Sequence, residues 1–95
     1  MINAQGYVWQ YVGRDHPMSN HRGYAAQHRV VMAERIGRPL LVNENVHHLN
    51  GVRNDNREEN LELWVRTQPQ GQRAADLLVW ARSIIQTYGP IDDRL

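Results

Sequence analysis

The chain has 95 residues, a formal net charge of +1, 41% hydrophobic residues and no cysteine. That length makes one small domain with a thin core. Without cysteine there are no disulfides and no thiolate-held zinc, so any metal would need His, Asn, Gln or carboxylate donors. No apolar run approaches the ~18 residues of a membrane span, and no signal-peptide pattern opens the chain, so a cytoplasmic location is expected. All eleven basic residues are Arg. Arg forks onto phosphate in a way Lys cannot, but a GC-rich genome explains such a bias across a whole chain. Only individual arginines beside a motif therefore carry functional weight.

Residues 6–13 form a β-rich run bounded by glycines and read as a strand. Residues 14–23 are a polar loop. Residues 24–36 read as a helix, with His28, Val31, Met32, Arg35 and Ile36 at helical spacing, Gly37 at the C-cap and Pro39 forbidding continuation. An apolar connection (40–44) leads into a strand-like piece, 45–48, and Asn50-Gly51 supplies turn chemistry after it. Residues 54–60, dense in Asx and acidic side chains, suggest an Asx turn and one helical turn. Residues 61–65 read as a strand pairing back on 45–49. From 72 to 88 the set Leu77, Leu78, Ala81, Ile84, Ile85 and Tyr88 repeats at helical spacing until Gly89-Pro90. Trp64 and Trp80 are expected to anchor the core. The order after residue 44 is strand, loop, strand, helix, which is a β-β-α unit.

The chemistry concentrates in residues 46–61, where His47-His48, Asn50-Gly51 and Asn60 fall together. A metal-assisted reaction on phosphate needs an imidazole neutral near pH 7 and a ligand for a divalent ion. In a regular strand the two histidines point to opposite faces, whereas a bulge or strand end would gather them. One could then bind metal while the other takes a proton from water. An amide at Asn60 can donate to a backbone carbonyl across the loop, and the last helix, starting near residue 70, offers an N-terminus to a metal ligand or phosphate. Arg53, Arg57 and Arg73 lie beside the motif as phosphate contacts, with a solvated ion pair to Glu58 or Glu59 as the rival for Arg57. His28 is expected to fill an interface, and Asp15, His16 and His21 to be loop residues rather than a second metal site.

Four blocks carry a resemblance: Gly23-Tyr24-Ala25-Ala26-Gln27-His28-Arg29-Val30-Val31-Met32, Ile36-Gly37-Arg38-Pro39-Leu40, Glu44-Asn45-Val46-His47-His48-Leu49-Asn50-Gly51, and Asp55-Asn56-Arg57-Glu58-Glu59-Asn60-Leu61-Glu62-Leu63. In this order they resemble the HNH endonuclease family, most closely its small phage and homing-type members, over about residues 6–73. The resemblance implies an α+β fold with a ββα-metal (His-Me finger) core at 44–88, an N-terminal strand and helix extension at 6–40, and one domain over 1–95. It implies hydrolysis of DNA phosphodiesters with a divalent ion, Mg²⁺ or Mn²⁺ first and Zn²⁺ or Ni²⁺ as alternatives. His48 is similar to the general base, His47 stands at the first metal-ligand position, and Asn60 matches the middle Asn that steadies the catalytic loop. The last family position, a His or Asn, is here replaced by Gln68 as the nearest candidate, whose amide oxygen can ligate a hard cation. DNA is the implied partner, with phage packaging (terminase) proteins as a further one and the host cytoplasm as the location of a phage-encoded chain. The rival implication is an HNH-fold DNA-binding or packaging accessory module that has lost turnover.

Overall fold

The computed structural model describes residues 1–66, 73–89 and 94–95. The architecture is α+β: two small antiparallel sheets and two helices. Strand β1 (Trp9–Tyr11) pairs with β2 (Tyr24–Ala26) in the register Trp9↔Ala26, Gln10↔Ala25, Tyr11↔Tyr24. The strand expected over 6–13 is thus only three residues long, extended by a bridge between Ile2 and Val8. The helix expected from residue 24 begins three residues later, because Tyr24, Ala25 and Ala26 are taken up by the β1 ladder. Gly23 permits the sharp entry. Its φ is +89°, and a Cβ there would lie 2.7 Å from the Tyr11 ring, so only glycine fits.

Helix α1 (Gln27–Ile36) buries Val30, Met32, Ala33 and Ile36. It ends as the sequence predicts: Gly37 takes the left-handed conformation (φ 80°), and the amides of Gly37 and Arg38 both return to the Ala33 carbonyl. Strand β3 (Glu44–His48) pairs with β4 (Leu61–Val65), and a single 3₁₀ turn at Glu58–Asn60 precedes β4. Gly51, at φ +74°, turns the chain after β3. Met32 and Ile36 of α1 meet Val46 and Leu61 of the hairpin in the core, with Val31, Leu40, Leu63 and Leu95 packed around them. Alternation along β3 and β4 therefore aims Val46, Leu61 and Leu63 at α1 and leaves Asn45, His47, Glu62 and Trp64 on the opposite face.

Helix α2 (Ala74–Tyr88) follows the hairpin in the expected order but has no buried residue. Trp64 is 49% exposed and Trp80 36%. Neither tryptophan is a core anchor, since Trp64 sits on the hairpin face turned away from α1 and Trp80 on a helix that buries nothing. The tie from α2 to the body is polar. The Tyr88 hydroxyl donates to Glu44 Oε2 at 2.7 Å, and the Arg38 guanidinium lies 6.0 Å from the Tyr88 ring centroid.

That tie ends on a carboxylate that hydrophobic patterning alone would not have buried. Glu44, the first residue of β3, is fully buried. Arg38 grips both its oxygens (2.8 and 2.9 Å), and the Leu41 amide donates to Oε1 at 2.6 Å. Burial pushes the Glu44 pKa up, but the bonds from Arg38, Leu41 and Tyr88 outweigh it and hold the pKa at about 2. The Tyr88 hydroxyl, half in the same pocket and donating to that carboxylate, is pushed up to about 12. Other arginines fasten backbone to backbone: Arg29 donates to the Glu44 carbonyl, and one Arg35 nitrogen reaches the carbonyls of both Glu58 and Leu61.

Candidate active site

His48 closes β3 on the face turned toward α1, and its ring sits in an aromatic cluster. Its centroid lies 5.2 Å from that of His28 and 6.3 Å from Tyr7. His28, on the first turn of α1, stacks on Tyr7 at 5.2 Å. The sequence expectation that His28 fills an interface agrees with this position. Its Nδ1 is buried without a hydrogen-bond partner. Burial, with smaller contributions from His48 and Arg29, pulls its pKa down to about 4, so His28 is neutral at pH 7. Beside His48 opens a cleft of about 300 Å³ lined by Tyr7, Val46, His47, His48, Gly51 and Arg53. Arg53 lies across the Tyr7 ring, 5.0 Å from its centroid, and donates to the Gln5 carbonyl at 2.7 Å.

His47 is placed differently. The β3–β4 register runs unbroken from Glu44↔Val65 to His48↔Leu61, so no bulge gathers the two histidines and they point to opposite faces. The His47 ring lies flat on Trp64, 3.7 Å between centroids and 11° between planes. Such stacking occupies the ring face and leaves both nitrogens at the edge. Gln68, the other ligand candidate, lies outside the described residues. Among the described residues no three His, Asp or Glu side chains gather to hold a metal ion, so His47 by itself does not make a site. Asp15, His16 and His21 form no such group either, and His16 Nδ1 instead accepts from the Met18 amide.

Asn60 is buried behind the turn. Its Nδ2 donates to the Asp55 carbonyl (2.8 Å) and to Asn50 Oδ1 (2.9 Å), and its Oδ1 accepts from the Asn50 amide at 3.1 Å. The side chain thus spans the loop after His48, although none of these bonds reaches the His48 ring. Of the candidate phosphate contacts, Arg57 is committed to Asp55 at 2.8 Å and lies 3.6 Å from Glu59. The Arg57 contact, helped by the Asn50 amide, holds the Asp55 carboxyl well below its ordinary range. Arg73, just before α2, pairs with Asp76 at 3.1 Å. Arg53 has no carboxylate partner of this kind among the described residues, and it alone of the three lines the His48 cleft.

Sequence reasoning missed Asn56. Its Oδ1 lies 2.6 Å from His48 Nε2, and its Nδ2 donates to Gln27 Oε1 at 2.9 Å. It also missed Tyr7, the stacking partner of His28. An Asx-rich loop promises turns wherever it occurs, and only the path of the loop back across β3 shows which amide meets the ring.

Residues 25–69 match the model of the HNH endonuclease family. The match assigns this segment, which contains α1 and the β3–β4 hairpin, to that family and bears out the resemblance read from the sequence. The family consists of nucleases whose substrate is DNA and which generally use a divalent metal ion. No curated protein and no solved structure matches the chain. No helix among the described residues is long and apolar enough to cross a membrane.

Proposed function

We propose that the chain is a DNA endonuclease in which His48 is the general base, working in a ββα-metal core over residues 44–88 of a single 1–95 domain. The observation that carries this reading is the setting of His48. It ends β3 within the family-matched segment, one ring nitrogen is held by Asn56, and Arg53 lines the same cleft. In the reaction, His48 accepts a proton from water, and the water oxygen bonds to phosphorus as the bond to the 3′ oxygen breaks. The leaving oxygen then takes a proton from solvent. Arg53 suits a phosphate beside the scissile one, with Arg57 and Arg73 as outlying contacts once they exchange their carboxylates for phosphate. Asn60 keeps the loop after His48 in shape. Binding through phosphate makes affinity fall steeply with salt.

A divalent ion, when bound, would supply positive charge to the phosphate. His47 and Gln68 are the proposed ligands; the amide oxygen of Gln68 suits a hard cation such as Mg²⁺ or Mn²⁺, whereas the imidazole of His47 suits a softer one such as Zn²⁺ or Ni²⁺. His47 is the one donor of that pair among the described residues. The opposite orientation of His47 and His48 supports a second reading, an HNH-fold DNA-binding module with little or no turnover that serves an assembly such as phage DNA packaging. Nicking of supercoiled plasmid separates the two. The endonuclease reading expects cutting with Mg²⁺ or Mn²⁺, none with EDTA, and a loss of 10²-fold or more in His48→Ala. Retained DNA binding with no cutting under any metal, or full cutting by His48→Ala, would overturn it.

A further inference from the structure

A neutral imidazole carries one proton that either ring nitrogen can hold, so a partner on one nitrogen decides which of the two is left to act as the base. In this fold the occupied nitrogen of His48 is Nε2, and its partner is the Asn56 amide at 2.6 Å. That amide is tied to two others. Asn56 Nδ2 donates to Gln27 Oε1 at 2.9 Å, and Gln27 Nε2 donates onward to Gln10 Oε1 at 3.2 Å. Each amide spends its NH₂ on the next, so the oxygen of Asn56 is what faces the ring. Reversing one amide alone would bring two donors or two acceptors face to face.

We infer that Asn56, locked by Gln27 and Gln10, is the positioning residue that holds His48 in the Nε2–H form and leaves Nδ1 as the basic nitrogen. The relay spans four parts of the fold: β1 through Gln10, the first turn of α1 through Gln27, the loop before the 3₁₀ turn through Asn56, and the end of β3 through His48. It fixes the ring plane as well as the proton. Tyr7 and His28 flank the ring at tilts of 39° and 45° and make ring contacts with it, whereas the side-chain hydrogen bond to its nitrogen comes from Asn56. Asn60 serves the loop backbone, and its side-chain bonds end on Asn50 and Asp55. The two asparagines therefore divide the work, one acting on the ring and the other on the loop. This inference rests on the reading of His48 as the base.

The test uses the full chain, labelled with ¹⁵N-histidine, and asks about orientation without asking for cleavage. Long-range ¹H–¹⁵N correlation, with His48 assigned through His48→Gln, is expected to show the Nε2–H form with a proton slow to exchange with solvent. In Asn56→Leu that protection is expected to vanish while a thermal melt shows the domain still folded. Asn56→Asp restores an acceptor, so it should restore the protected proton. Gln27→Leu, which frees the Asn56 amide to turn, should weaken it. In plasmid cleavage, Asn56→Leu is expected to lower kcat by about 10²-fold with KM for DNA little changed, and Asn56→Asp to recover most of that loss. His48 found in the Nδ1–H form, or an Nε2 proton equally protected in Asn56→Leu, overturns the inference. So does a kcat loss that Asn56→Asp fails to rescue in a folded protein. A wild-type chain that does not cut DNA sinks the endonuclease reading, and the NMR result then decides the orientation by itself. Should the Leu variant unfold, the Asp and Gln27→Leu variants carry the comparison.

Discussion

Replacing Glu44 by Gln tests whether a buried ion pair, rather than the small apolar core, pins the first strand of the β3–β4 hairpin. The carboxylate is fully buried and takes four hydrogen bonds, two from Arg38, one from the Leu41 amide and one from Tyr88. Its pKa falls from 4.5 to about 2 on folding. At full strength that difference is worth about 3 kcal/mol of stability. Arg38 is about one-third exposed (32%), and solvent screening through it brings the figure to roughly 2 kcal/mol. Because the folded pKa is depressed, the contribution is complete above pH 4.5 and drains away as pH falls toward 2. Urea unfolding followed by circular dichroism at pH 7 and at about pH 2.5 should show this loss in the wild type. Glu44→Gln keeps the shape but loses the charge, leaving Arg38 without its counter-ion. It should be about 2–3 kcal/mol less stable at pH 7 and should lose the Glu44 share of the acid slope below pH 4.5, while Asp55 keeps its own. A variant within about 0.5 kcal/mol of wild type at pH 7, or one with an unchanged acid slope, refutes the reasoning.

Three further outcomes follow from the same geometry. His28 has a folded pKa of about 4 against 6.5 unfolded, so it destabilises the fold progressively as pH drops from 6.5 to 4. His28→Phe, which keeps the stack on Tyr7 and removes the orphaned nitrogen, should flatten that slope in a series of urea melts and be no less stable at pH 5. Asn60→Ala removes three side-chain hydrogen bonds and should cost about 2–3 kcal/mol, read by chemical denaturation. Amide exchange should speed up first at Asn50, whose N–H loses its acceptor. Gly51→Ala meets no atom within 4 Å but must hold a φ of +74°. It should therefore cost about 1 kcal/mol in thermal melts, from backbone strain alone.

The hairpin was legible because local chemistry and alternation agree there. Asn50-Gly51 marks the turn, Val46 and Leu61 alternate with polar neighbours, and the register follows. The end of α1 was legible for the same reason, since Gly37 and Pro39 stop it by local geometry. Tyr24–Ala26 misled because alanines suit a helix, and the strand that claims them lies thirteen or more residues earlier. Tertiary pairing overrode propensity there. Trp64 misled differently. A large indole usually marks a core, but the pairing phase puts it on the face away from α1, where it stacks on His47. The burial of Glu44 was invisible because a lone acidic residue at a strand start looks solvated until Arg38, six residues earlier, folds back onto it. In the candidate site, the bonds of Asn60 across the loop match the brace expected from its spacing. The contact of Asn56 with His48 was not legible, because it depends on the path of the loop and on a helix residue 29 positions away.

The arginines that reach backbone carbonyls have a consequence for how this protein can vary. Arg29 ties α1 to β3, and one Arg35 nitrogen bridges two carbonyls at the start of β4. These cations act as permanent rivets, since guanidinium keeps its proton at any pH a cell experiences. The frame around His48 is thus held by guanidinium fasteners that span α1, β3 and the turn before β4. Substitution by Lys would keep the charge count and lose the planar fork, so a lysine-for-arginine drift that looks conservative in composition would loosen the frame one joint at a time.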